Sequence, residues 1–199
     1  MALYRYEERR AGPGAPLLIL FHGTGGAPRQ FIQLGEDLMP GARLVAPAGD
    51  VLEHGAPRFF KRRDEGVYDM EDLARATDKM GRFIRHLVEE DKPSSVAALG
   101  YSNGANILAS VLFAAPELID KAVLMHPLIP FEATPQPALK DKAILITAGR
   151  NDPICPSPLT ERLETWFRSQ GAKVESVWHA GGHELHREEF ATVRDFLSR

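Results

Sequence analysis

The sequence has a single cysteine, Cys155, and a lone thiol cannot close an internal disulfide, which points to a reducing compartment. It lacks any apolar run of membrane-spanning length, and its first eight residues carry no long apolar signal region. The expectation is a cytoplasmic protein without stable membrane insertion. Basic excess is also missing: 24 Lys and Arg stand against 27 Asp and Glu, a formal net charge of −3, which argues against nucleic acid as a partner. Arg58, Lys61, Arg62 and Arg63 do cluster, but Asp64 and Glu65 follow at once, so the patch reads as a solvated loop. There are no internal repeats and no low-complexity tracts. What is present is 199 residues, 44% of them hydrophobic, enough to bury a large core in one domain spanning residues 1–199, with no room for a second.

Strand-like and helix-like segments alternate along the chain. Residues 3–8 alternate weakly, as an edge strand would, and Pro28 opens a helix running to about Met39. Residues 43–46 read as a short strand, and 69–89 place Leu73, Met80, Phe83, Ile84 and Leu87 on one helical face. Further strands are expected at 17–21, 96–99, 121–125, 143–147 and 173–178, with helices at 105–115, 157–170 and 186–197. This alternation predicts an α/β fold with a mostly parallel central sheet and helices on both faces.

The most informative stretch is Gly100-Tyr101-Ser102-Asn103-Gly104, set between a strand-like and a helix-like run. A serine at such a junction needs a turn so sharp that the flanking residues crowd each other, and glycine relieves the clash. The turn exposes Ser102 and places it at the positive end of the next helix. Upstream, the 17–21 strand runs into His22-Gly23-Thr24-Gly25-Gly26, whose backbone N–H groups can point at a bound oxygen. Thr24 and Asn103 amides are therefore candidates for an oxyanion hole. Asp152 follows the 143–147 strand and His183 follows the 173–178 strand. The C-terminal ends of parallel strands share one edge, so Ser102, Asp152 and His183 are expected to converge there as nucleophile, orienting acid and base.

On these segments the chain resembles the small α/β-hydrolases of the bacterial carboxylesterase/phospholipase group, related to acyl-protein thioesterases. The resemblance covers nearly the whole chain and implies an oxyanion amide at Thr24, the nucleophile at Ser102, an Asp-x-x-x-Pro stretch at Asp152 to Pro156, and Gly182-His183. Where many relatives carry an acidic residue after the second glycine of the first motif, this chain has Gly26. Pro57 to Phe60 and Gly149 to Pro156 are similar to a subgroup linked with hydroquinone or aromatic-compound metabolism.

Two long connections supply candidate pocket walls. Residues 47–68 include Phe59 and Phe60, and residues 126–140 carry Leu128, Ile129 and Phe131. Neither is long enough for a helical lid, so an open site suited to short or soluble esters is expected. His22 reads as a structural hydrogen-bonder and His126 as a pocket-lining residue. His179, His183 and His186 do not have the spacing of a zincin helix, and no metal or cofactor is expected. Cys155 as nucleophile would resemble dienelactone hydrolase chemistry, but it lacks the strand-turn-helix setting of Ser102. The sequence reading is a serine carboxylic-ester hydrolase acting on a small-molecule ester and compatible with a homodimer. Its alternatives are a thioesterase or lysophospholipase with the same triad, or a catalytically silent binding protein.

Overall fold

The computed structural model describes residues 4–199, so Leu3, the start of the expected edge strand, lies outside the described residues. Seven strands form the central sheet: β1 (Tyr6–Arg9), β2 (Leu17–Phe21), β3 (Arg43–Pro47), β8 (Val96–Tyr101), β9 (Lys121–Met125), β10 (Ala143–Gly149) and β11 (Lys173–His179). Their order is β1-β3-β2-β8-β9-β10-β11. Only β1 runs antiparallel to its neighbour; the other pairs are parallel. The inner strands are continuous apolar runs, as a sheet covered on both faces requires.

Alternation along β2 shows how the layers divide. Leu17, Ile19 and Phe21 face a core closed by α2 (Met70–Asp91), α3 (Asn103–Ala114) and α4 (Ser157–Ser169). Leu18 and Leu20 face the other way, against α1 (Pro28–Leu38) and α5 (Arg187–Ser198). Helix α2 begins where Asp69 accepts the Asp72 amide through its side chain at 3.1 Å, and Glu71 and Asp72 suit the positive end of its dipole. Helix α3 is buried on every side from Asn103 to Leu112, which fixes the element that carries Ser102 at its N-terminus.

Residues 47–68, expected as an irregular connection, fold instead into two hairpins: β4 (Val51–Glu53) with β5 (Ala56–Arg58), and β6 (Arg62–Asp64) with β7 (Val67–Tyr68). Between them the chain turns inward, and Phe59 and Phe60 are fully buried in the core. Strands of two or three residues are too short to show a period in the sequence.

Candidate active site

Ser102 sits between β8 and α3 with φ 52° and ψ −117°, a left-handed conformation rare for a residue with a side chain. Its amide donates to the Met125 carbonyl at 2.9 Å, which pins the turn to β9. Glycine is required on both sides. An added Cβ at Gly100 would overlap the Gly104 backbone, and one at Gly104 would lie 2.6 Å from the His22 carbonyl oxygen. The turn thus packs backbone against backbone, directly beside the glycine-rich segment that follows β2.

The strand-end loops after β10 and β11 are locked together in the same way. A Cβ at Gly149 would collide with Gly182, the Arg150 amide donates to His179 O at 2.8 Å, and the Asn151 amide to Gly181 O at 3.0 Å. This clasp brings Asp152 and His183 into line. His183 Nε2 lies 2.9 Å from Ser102 Oγ, and His183 Nδ1 lies 2.7 Å from Asp152 Oδ2. The other Asp152 oxygen accepts the amides of Ile154 and Cys155, each at 2.8 Å. Burial alone would raise the Asp152 pKa, but the Cys155 amide and the two histidines outweigh it and hold it below the usual carboxylate range.

Thr24 follows β2 on an exposed turn, and its hydroxyl accepts from Arg58 Nη1 at 2.8 Å. Asn103 is buried; its Oδ1 accepts the Phe59 amide at 2.8 Å, which ties the first residue of α3 to the inter-hairpin segment. His22 is a hydrogen-bonder within the fold: Nδ1 donates to Gly23 O at 2.7 Å and Nε2 accepts the Gly49 amide at 2.9 Å.

A cleft of about 250 Å³ opens over Ser102, and its walls differ from those expected. Phe59 and Phe60 are absent from it, because the hairpin turn draws both rings into the core. Leu128 does line it, whereas Ile129 faces a neighbouring cavity with Phe131 and Trp166. The missing wall comes from Arg58, Arg62, Glu65, Gly66 and Tyr68. Arg58 is not solvated, as its place in a charged run implied. It is buried, with Nη1 on Glu53 at 3.3 Å, while Arg62 Nε reaches the same carboxylate at 2.8 Å. Tyr68 and Asn106 brace the floor: Tyr68 Oη donates to Leu128 O at 2.6 Å, and Asn106 Nδ2 to Tyr68 Oη at 2.8 Å. Such contacts join residues 22 to 60 positions apart, and no local sequence signal announces them.

Cys155 also borders the cleft, but its Sγ donates to His126 O at 3.2 Å, and burial, followed by the Asp152 charge, pushes its thiol pKa far up. That is the opposite of an activated thiolate. Two groups among the described residues bring three donor atoms within 4.8 Å of one another: His126, His179 and Glu189, and His126, Asp152 and His183. In both, the ring nitrogens are engaged in the hydrogen bonds described above and below. Among the described residues no helix is long and apolar enough to cross a membrane.

A mostly parallel sheet covered on both faces, with a serine at a strand-helix elbow and a histidine and a carboxylate on later strand ends, defines an α/β-hydrolase of carboxylesterase type. The chain belongs to the dienelactone hydrolase family, whose model matches residues 12–190. It is 38% identical over 193 residues to MhqD of Bacillus subtilis (strain 168), which bears the name of a hydrolase, covering 96% of this chain and 95% of that one. Among solved structures, it is similar to a protein of unknown function from Agrobacterium tumefaciens str. C58, with TM-score 0.93, 53% identity and coverage of 98% and 96%. It is also similar to the carboxylesterase of Bacillus cereus, with TM-score 0.91, 34% identity and coverage of 99% and 94%.

Proposed function

We propose that this hydrolase is a serine carboxylic-ester hydrolase that works through an acyl-enzyme on small or medium acyl esters. The observation that carries the reading is the unbroken line Ser102 Oγ, His183 Nε2, His183 Nδ1, Asp152 Oδ2, with links of 2.9 and 2.7 Å. With its Nδ1 proton held by Asp152, neutral His183 presents a lone pair to Ser102 and takes its proton as Oγ attacks the ester carbonyl. The backbone amides of Thr24 and Asn103, the latter at the positive end of α3, receive the oxyanion. His183 then protonates the departing alcohol, deprotonates a water, and the acyl group leaves as the acid.

The cleft of about 250 Å³, polar on its Arg58 and Arg62 side and apolar at Leu128 and Ile154, suits compact substrates rather than long acyl chains. The free, buried thiol of Cys155 agrees with a cytoplasmic setting. A fluorophosphonate probe should label wild type and leave Ser102→Ala unlabelled, and a panel of esters and thioesters of graded acyl length should show the highest kcat/KM on short oxygen esters. Equal labelling of the two proteins would reject the serine nucleophile; a thioester preference would move the substrate class.

A further inference from the structure

Behind the Ser102, His183 and Asp152 line lies a second histidine that the proposed chemistry does not use. His126 follows β9, is fully buried, and adopts φ 51°. Its backbone is held from two sides, the amide donating to Thr147 O at 2.8 Å and the carbonyl accepting the Cys155 thiol. The ring bridges two carboxylates: Nδ1 lies 3.2 Å from Asp152 Oδ2 and Nε2 lies 3.1 Å from Glu189 Oε2.

An ionised carboxylate only accepts hydrogen bonds, and a neutral imidazole has one N–H to give. Both contacts are satisfied at once only if His126 carries two protons or one carboxylate carries its own. The carboxylates have no call for a proton. Asp152 already accepts from His183 and from two amides. Glu189 accepts the Thr147 hydroxyl at 2.5 Å on Oε2 and the His186 amide at 2.6 Å on Oε1. Burial raises the Glu189 pKa, but the His126 ring, the His186 amide and the Thr147 hydroxyl more than offset it, and the net direction is downward. At His126 burial likewise opposes the charge, and Glu189 and Asp152 overcome it.

Of the remaining groups facing His126, His179 sets a second N–H beside the His126 Nε2–H, and both lie against Glu189. His179, at the end of β11, accepts the Gly181 amide on Nδ1 at 3.0 Å, so its proton sits on Nε2, 3.5 Å from Glu189 Oε1 and 3.4 Å from His126 Nε2. The same tautomer leaves His179 Nε2 without a lone pair for a metal shared with His126 and Glu189. Burial lowers the His179 pKa, with the neighbouring histidines adding to that effect against Glu189. The Tyr101 and His183 rings stand 5.9 and 5.4 Å away, and Tyr101 keeps its proton, its pKa pushed up to about 12.

We propose that His126 is an imidazolium positioning residue: anchored by Glu189, it holds the Asp152 carboxylate in line with His183 and offsets part of that carboxylate's charge. The proposal rests on the serine-triad reading. An isolated carboxylate favours the protonated form of the base it faces, and a cation on the same carboxylate works against this. Removing the cation alone leaves two carboxylates and moves the acid limb of kcat/KM to higher pH. Removing Glu189's charge as well restores the balance.

The test is the pH profile of kcat/KM on a short p-nitrophenyl ester for wild type, His126→Asn and His126→Asn/Glu189→Gln, with folding checked by circular dichroism. Asparagine tolerates the left-handed backbone and keeps a donor near the former Nδ1. The expected shift of the acid limb is about one pH unit upward in the single variant, and the double variant should return most of the way. An unmoved limb in folded His126→Asn, or an equal shift in both variants, overturns the proposal. Histidine ¹⁵N NMR of the wild-type protein gives a second readout that needs neither variant nor activity. Both His126 nitrogens should carry protons at neutral pH, and a lone-pair signal on either one overturns the assignment. Full activity in Ser102→Ala would instead strike the triad reading and leave the NMR result standing.

Discussion

The Tyr101 hydroxyl donates to the main-chain carbonyl of His183 at 2.7 Å, and the two rings lie 5.4 Å apart. The residue ahead of Ser102 therefore clasps the loop that carries its partner. Tyr101→Phe keeps the ring and removes the bond. Its kcat should fall about fivefold with KM little changed, in keeping with a single hydrogen bond of roughly 1 kcal/mol that serves orientation. An unaltered kcat would show that the Gly149 and Gly182 packing positions the loop unaided.

Ser102→Ala and His183→Ala should each lower kcat by about 10³-fold or more, and Asp152→Asn should be severe as well, because the three act as a unit. Thermal unfolding of the serine and histidine variants should stay close to wild type, since neither side chain packs the core. Wild-type turnover in a folded Ser102→Ala protein would refute the mechanism.

Phe60→Ala is expected to act on stability before selectivity. The ring is fully buried against Tyr68, 4.8 Å between centroids, so its loss should cost about 3–5 kcal/mol in denaturant unfolding. The ratio of kcat/KM between short and bulky esters should change far less than it does for a change at Leu128. A large selectivity change with unaltered stability would return Phe60 to the pocket wall.

The buried array behind the site gives stability a pH dependence of determinate sign. His126 has a pKa held above its unfolded value, so its contribution is complete below about pH 6.5 and is lost as pH rises through the folded value. Asp152 and Glu189 are both depressed, so theirs is present above about pH 4.5 and lost as pH falls through their folded values. The wild-type Tm should thus decline from pH 6 to pH 9 more steeply than that of His126→Asn. Parallel curves would mean that His126 does not titrate with unfolding.

Iodoacetamide should react slowly with the native protein and leave ester cleavage intact, and Cys155→Ser should remain active, because the thiol is buried and its pKa is raised. Loss of activity in a folded Cys155→Ser variant would transfer the nucleophile's role to sulfur.

Much of the architecture was legible because its signals are local. The helix expected at 157–170 spans Ser157–Ser169, and the one expected at 69–89 spans Met70–Asp91 with Asp69 as its cap. The strand ends that bear Ser102, Asp152 and His183 could be read from apolar runs followed by glycine. The cleft could not. Arg58 belongs to a charged run and is buried nonetheless, since Glu53 and Thr24 receive its guanidinium. Phe59 and Phe60 look like a pocket wall until the hairpins turn them inward, and in the irregular segment after β9 Leu128 lines the cleft while Ile129 lines the cavity with Phe131 and Trp166. The pairing of His126 with Glu189 spans 63 positions, beyond any periodicity or motif.

The hairpins over residues 51–68 pair only within themselves and add no strand to the central sheet. For protein engineering this makes them a cassette. Phe59 and Phe60 are rivets, sunk in the core and tied by the Phe59 amide to Asn103, while the β6–β7 tip that brings Arg62, Glu65 and Gly66 to the cleft can be exchanged. A library randomising residues 62–67, with both phenylalanines retained, would vary the entrance while leaving every strand end that bears Ser102, Asp152 and His183 as it stands.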